Sequence, residues 1–104
     1  MGSTKREQYR PYQLRYAQLS DAMGHPARIA ILEYLSIYFR ANSREMIDLT
    51  KLSKSTVSQH IKELLDSKLM FERYDDFTNE HYYYLNPNAF EMMGEVVDQI
   101  FKRS

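Results

Sequence analysis

From Leu52 to Leu65 the chain reads LSKSTVSQHIKELL. Val57, Ile61 and Leu64 follow one another at steps of four and three, which gathers them on one side of a helix at about 100° per residue. Opposite them fall Ser55, Gln59 and Lys62, with Thr56 and Ser58 on the flanks. Solvated helices favour Glu, Lys and Ala, because Ser and Thr are poorer helix formers. Ser53 is a good N-cap for this helix, which should run to about Ser67. Such a face is either a capping and solubilising surface or one kept short so that a hydrogen-bonding partner can lie close to it.

The flanking sequence places this helix fourth in order. Tyr9, Tyr12, Tyr16, Leu19 and Met23 recur at steps of three and four, giving a helical seam from roughly residue 7 to 22. Gly24 breaks it, and His25-Pro26 reads as a cap with proline in the first turn of a second helix. That helix carries Ile29, Leu32, Leu35 and Phe39 on its main face, widened by Ile31, Tyr34 and Tyr38, and is expected to be the buried centre. Asn42-Ser43 restarts the chain into a short third helix with Met46, Ile47 and Leu49. After Leu69 the period changes. Phe71–Tyr74 and His81–Leu85 are aromatic and β-prone around a polar turn, the pattern of a hairpin. Asn86-Pro87-Asn88 then opens a last helix with Phe90, Met93, Val97 and Ile100 in register. The fold expected is mainly α with a small β-hairpin, in the order α-α-α-α-β-β-α. A short helix, a turn, a polar-faced helix and a hairpin make the arrangement of a winged helix-turn-helix.

In that arrangement the polar face acquires a chemistry. Gln pairs with adenine through two hydrogen bonds, Ser and Thr reach base edges or phosphates, and Lys neutralises phosphate. A helix entering a major groove about 12 Å wide also needs short side chains on its leading face. The DNA-binding residues expected are Lys51, Lys54, Ser55, Thr56, Ser58, Gln59, His60, Lys62 and, on the hairpin, Arg73, with residues 54–66 as recognition helix. His60 lies at the border of the buried face and is expected to make a structural or phosphate hydrogen bond.

Two stretches also resemble a known family. SDAMGHPARIAIL over 20–32 and LTKLSKSTVSQHIKEL over 49–64 resemble the ArsR-type winged-helix repressors, through the pattern L-S-x-S-T-V-S-x-H-[IL] and an H-P-x-R opening the second helix. The resemblance spans roughly residues 14–100. It implies a homodimer built on the first and last helices, binding a pseudo-palindromic double-stranded DNA operator as a repressor. Lys51 departs from it, standing where the family usually has glycine between its two recognition helices, so a differently shaped turn and an added phosphate contact are expected.

A dimer also answers a physical need, since two terminal apolar seams are more than a small core hides. Tyr9, Tyr12, Tyr16 and Leu19 from the first helix and Phe90, Met93, Val97 and Ile100 from the last are the expected interface. The hairpin is a less obvious DNA element. Asp75, Asp76 and Glu80 would face phosphate unfavourably, so the wing should add little, and a winged-helix protein-interaction module that does not bind DNA strongly is the rival expectation.

The 104 residues predict one domain over 1–104, with 1–6 disordered. Net charge is zero, but it is unevenly spread: Lys5, Arg6, Arg10 and Arg15 stand against Glu7 alone at the start, and 74–101 holds only acids among its charges. No apolar run approaches the roughly 20 residues of a membrane span, and the polar start is not a signal peptide. With no cysteine there is no disulfide or thiolate metal site, in keeping with a reducing cytoplasm. His25, His60 and His81 lie in separate elements, so no metal site and no cofactor is expected, while a small apolar effector between the tyrosine-rich terminal helices stays open. No Ser/His/Asp set, Gly-rich loop or spaced carboxylate pair supports catalysis, and the chain is not expected to be an enzyme.

Overall fold

The computed structural model describes residues 8–102. The expectation made for residues 1–6, and the cations Lys5 and Arg6, lie outside that range. Its elements are α1 (Pro11–Ala22), α2 (Pro26–Tyr38), α3 (Ser43–Thr50), α4 (Lys54–Asp66), β1 (Met70–Asp75), β2 (Glu80–Leu85) and α5 (Pro87–Lys102). The order α-α-α-α-β-β-α is the one expected. The three prolines of the chain each open a helix, where the missing N–H would be unpaired anyway. Proline also corrects the start of α1, expected near residue 7. Pro11 is its first residue, and Arg10 before it is extended (φ −72°, ψ 150°), as a residue preceding proline prefers to be.

The core is shared by all the helices. Leu19 and Ala22 of α1, Ile31, Leu32 and Leu35 of α2, Met46 of α3, Val57, Ile61 and Leu64 of α4 and Ala89 of α5 close on Leu69 and on Met70 and Tyr83 of the hairpin. The strands pair antiparallel from Met70 opposite Leu85 to Asp75 opposite Glu80. Ala41, between α2 and α3, exchanges both backbone hydrogen bonds with Tyr83 and lays that connection along the free edge of β2. Asn42 caps α3 in a reciprocal box: its Oδ1 accepts from Glu45 N–H and its own N–H donates to Glu45 Oε1, each at 2.9 Å.

Two expectations about apolar faces need correction. Of the apolar residues of α2 only Ile31, Leu32 and Leu35 are buried, whereas Ile29, Tyr38 and the Phe39 that follows turn outward. Phe39 ends that helix with φ 74°, which takes the chain off the helical path and leaves the ring 77% exposed. Leu19, expected in a dimer seam, is wholly buried in the core of its own chain. Phe90 and Met93 likewise pack against that core, in part. The apolar stripe of α5 is simply wider than one contact: Ala89 and Val96 face inward, while Val97, Ile100 and Phe101 face out.

The α3–α4 turn holds a further correction. Lys51 adopts the left-handed conformation (φ 60°, ψ 23°) and donates its N–H to the Ile47 carbonyl at 2.9 Å. Glycine takes that conformation freely, so the lysine preserves a glycine-type turn rather than reshaping it. Left-handed backbone costs a side-chain-bearing residue about 1–2 kcal/mol, against the roughly 0.5–1 kcal/mol of unfolded-state freedom that glycine brings. Lys51→Gly is therefore expected to raise stability by about 0.5–1 kcal/mol, read as a higher urea midpoint with unchanged slope.

Candidate nucleic-acid interface

The turn delivers α4 with its apolar side down. Val57, Ile61 and Leu64 are buried, and Lys54, Ser55, Thr56, Ser58, Gln59 and Lys62 are all exposed. Of these, Lys54, Ser55, Ser58, Gln59 and Lys62 line one shallow, open surface together with Ser53. At its N-terminal end Ser53 Oγ accepts from the Thr56 N–H at 3.2 Å and donates to Thr56 Oγ1 at 2.9 Å. Thr56 is thus partly occupied in capping, and Ser55 lies 3.3 Å from the same hydroxyl. Lys51 is exposed on the turn.

The outward polar groups have local partners that inspection of one face passes over. Gln59 Nε2 donates to Glu63 Oε1 at 3.1 Å, and Lys62 Nζ pairs with Asp66 Oδ2 at 2.8 Å. The hydrogen bond from Lys62 to Asp66 pushes the lysine above its ordinary range. The i, i+4 spacing of both pairs was legible in the sequence.

His60 points the other way. Arg28, almost fully buried, donates Nε–H to His60 Nδ1 at 3.0 Å and Nη1–H to the Ala22 carbonyl at 3.1 Å. Arginine only donates, so Nδ1 of His60 carries no proton in this state. His25, expected to cap α2, occupies the cap position without a side-chain hydrogen bond; its ring lies 5.8 Å from that of His60. Burial pushes the His60 imidazole below its ordinary pKa, and the charges of Arg28 and His25 push the same way. Arg28 is the residue that inspection of the polar face alone missed.

The wing is differently charged from its sequence. Arg40 Nη1 meets Asp75 Oδ2 at 2.8 Å, and Arg44 Nη2 meets Glu80 Oε1 at 2.6 Å. Arg40, and then the Phe77 backbone N–H, hold the Asp75 carboxyl below the usual carboxylate range. Arg40 also lies 3.9 Å over the Tyr82 ring. Arg73 stands on exposed β1 with its guanidinium carbon 5.4 Å from the centre of the Phe71 ring. Phe77, at the hairpin tip, is fully exposed.

On α1 and α5, Tyr12, Tyr16 and Ile100 line a cavity of about 200 Å³ with Gln13, Val96 and Gln99. Tyr9, Tyr12, Val97 and Ile100 are exposed, and Tyr16 is half-buried. Among the described residues no group of three His, Asp or Glu stands close enough to hold a metal ion, and no helix is long and apolar enough to cross a membrane.

A helix-turn-helix followed by a two-stranded wing defines the molecule as a winged helix-turn-helix protein. Residues 25–69 match the family model of bacterial regulatory proteins of the arsR family. Its fold recurs in an ArsR-like transcriptional regulator from Rhodococcus sp. RHA1, at 14% identity and TM-score 0.76 over 88% of this chain and 83% of that one. It recurs in HlyU from Vibrio cholerae N16961, at 22% identity and TM-score 0.69 over 89% and 98% of the two chains. The transcriptional repressor PagR of Bacillus anthracis shares 27% identity, with TM-score 0.66 over 81% of this chain and 94% of its own. No curated protein matches the chain. The family whose model matches is one of bacterial regulatory proteins.

The Arg28–His60 bond has a pH signature. His60 titrates near 6.5 when unfolded and lower when folded, so between those values the unfolded chain binds the extra proton. Stability therefore rises with pH through that window, is complete above about 6.5, and is lost on acidification. Urea midpoints at pH 5 to 7.5 are expected to rise more steeply for the native chain than for His60→Gln, whose amide oxygen accepts from Arg28 without titrating. Equal slopes would refute this account of His60.

Proposed function

We propose that the chain is a sequence-specific DNA-binding transcriptional regulator, a homodimeric repressor that reads a pseudo-palindromic operator with α4. The observation that carries this is the exposed Ser55/Ser58/Gln59/Lys62 face on a helix whose other side is locked into the core. Short hydroxyl and amide groups there suit base edges and phosphates, with Lys51, Lys54 and Lys62 supplying charge. Support for repression comes from PagR, a transcriptional repressor of the same fold.

The homodimer rests on the apolar groups that α1 and α5 leave outside the core. Tyr9, Tyr12, Tyr16, Val97 and Ile100 form the proposed contact, joined by Phe101. Two copies would set two α4 helices one helical turn of DNA, about 34 Å, apart. The small cavity between Tyr12, Tyr16 and Ile100 is where an apolar effector would meet that contact. The rival reading, a protein-interaction module, drew on the acids of the wing. With Asp75 and Glu80 each engaged by an arginine, its remaining support is the exposed cluster Ile37, Tyr38 and Phe39.

A gel shift against the chain's own promoter DNA tests the proposal, which expects salt-sensitive, sequence-selective binding; its absence at moderate ionic strength overturns it. Lys54→Ala or Lys62→Ala is expected to weaken all DNA roughly alike and to lower the salt slope by about one, whereas Gln59→Ala lowers discrimination. Equal loss on specific and random duplexes in Gln59→Ala would count against readout by that residue. In sedimentation the chain at micromolar concentration should show twice the monomer mass, and Ile100→Glu should return it to monomer. A monomeric native chain would rule out the dimer.

A further inference from the structure

The Gln59–Glu63 pair carries more than helix stability. A glutamine amide offers two N–H donors and one carbonyl acceptor, and its two ends look alike in shape. An ionised carboxylate only accepts, so the group that Gln59 turns towards Glu63 must be its NH2, as the 3.1 Å contact from Nε2 to Oε1 has it. One donor is thereby used. What Gln59 keeps for a partner is one N–H and the carbonyl oxygen. In the major groove adenine presents an acceptor at N7 and a donor at N6, the complement of that remaining set. Guanine presents two acceptors, N7 and O6, and needs both donors of an amide. With Glu63 holding one of them, the Gln59 oxygen would be left against O6.

We infer that Glu63 is a positioning residue that sets Gln59 to read adenine and reject guanine. The inference rests on α4 lying in the major groove, as proposed above. Without Glu63 the amide regains its second donor and turns freely to suit either purine. The geometry needs no new contact from Glu63 to DNA. The residue is half-buried on the flank of the outward face, one turn beyond Gln59.

The test uses the full chain and duplexes selected from random DNA. Gln59→Ala locates the operator position whose preference it abolishes. At that position the native chain is expected to favour adenine over guanine by about tenfold or more, within the range of a good bidentate contact. E63A is expected to bring that ratio towards unity by gaining affinity for guanine. E63Q, whose amide donates as well as accepts and so no longer dictates which end of Gln59 faces it, is expected to lose part of the preference. The ratio separates this from charge removal, because losing a carboxylate near phosphates would tighten every duplex alike and leave the ratio unchanged. Thermal melting of each variant confirms that the helix is intact. A Gln59-dependent position that is not adenine, or an E63A ratio equal to the native one, overturns the inference while DNA binding stands. If the native chain binds no duplex selectively, the failure belongs to the DNA-binding proposal itself, and the inference falls with it.

Discussion

One buried guanidinium sits where three helices meet. Arg28 belongs to α2, donates to the last carbonyls of α1 at Ala22 and to the ring of His60 on α4. A buried charge is costly unless its hydrogen-bonding capacity is used, so the helices that supply its acceptors are held at the spacing it requires. The acceptor at Ala22 is a carbonyl that the end of a helix leaves unpaired, and a cation there also suits the helix dipole. From the buried side, then, Arg28 fixes α4 relative to α1. The exposed polar face of one and the exposed tyrosines of the other are presented in a defined relation, with the apolar core of Leu19, Ile61 and Leu64 filled around it.

Much of this was written in the sequence, and the parts that were not share a cause. The element order, the cap at Ser53, the helix start at Pro26 and the inward set Val57/Ile61/Leu64 follow from local periodicity and local hydrogen bonding, which a window of residues contains. Leu19, Ile29 and Phe39 were misplaced because periodicity marks an apolar face without saying which neighbour covers it. Leu19 joined the core of its own chain; Phe39 stayed exposed, since the chain leaves the helix there. Arg28 stood in the H-P-A-R stretch, but its partner His60 lies 32 residues on, and only the packing brings them together.

The wing shows the same limit in electrostatic form. Its acids read as a repulsive tip because the balancing cations, Arg40 from the connection between α2 and α3 and Arg44 from the first turn of α3, come 35 and 36 residues earlier. Each pair is at least partly solvated, and such pairs add little to stability. Their consequence is on the field instead: two of the three acids near the tip are locally neutralised, which leaves Asp76 beside the exposed Phe77. Zero net charge for the chain therefore says little about the potential at α4, where Lys51 and Lys54 have no acid within the same stretch of sequence.

The two sides of α4 are thus bonded in opposite ways. Inward, Arg28 and His60 make a bond that water does not replace without leaving a buried charge unsatisfied. Outward, Gln59 and Lys62 rest on Glu63 and Asp66 through exposed i, i+4 pairs, which solvent and salt screen and which hold weakly. On the proposed DNA, a phosphate would displace Asp66 from Lys62 at little cost, and Thr56 would give up a hydroxyl contact as readily. Gln59 is the exception in kind, because its bond to Glu63 would not have to break in the proposed contact with adenine; it limits which donors remain. The polar face that stands out in LSKSTVSQHIKELL is therefore already hydrogen-bonded within the chain, loosely at Lys62 and Thr56 and with a set amide orientation at Gln59.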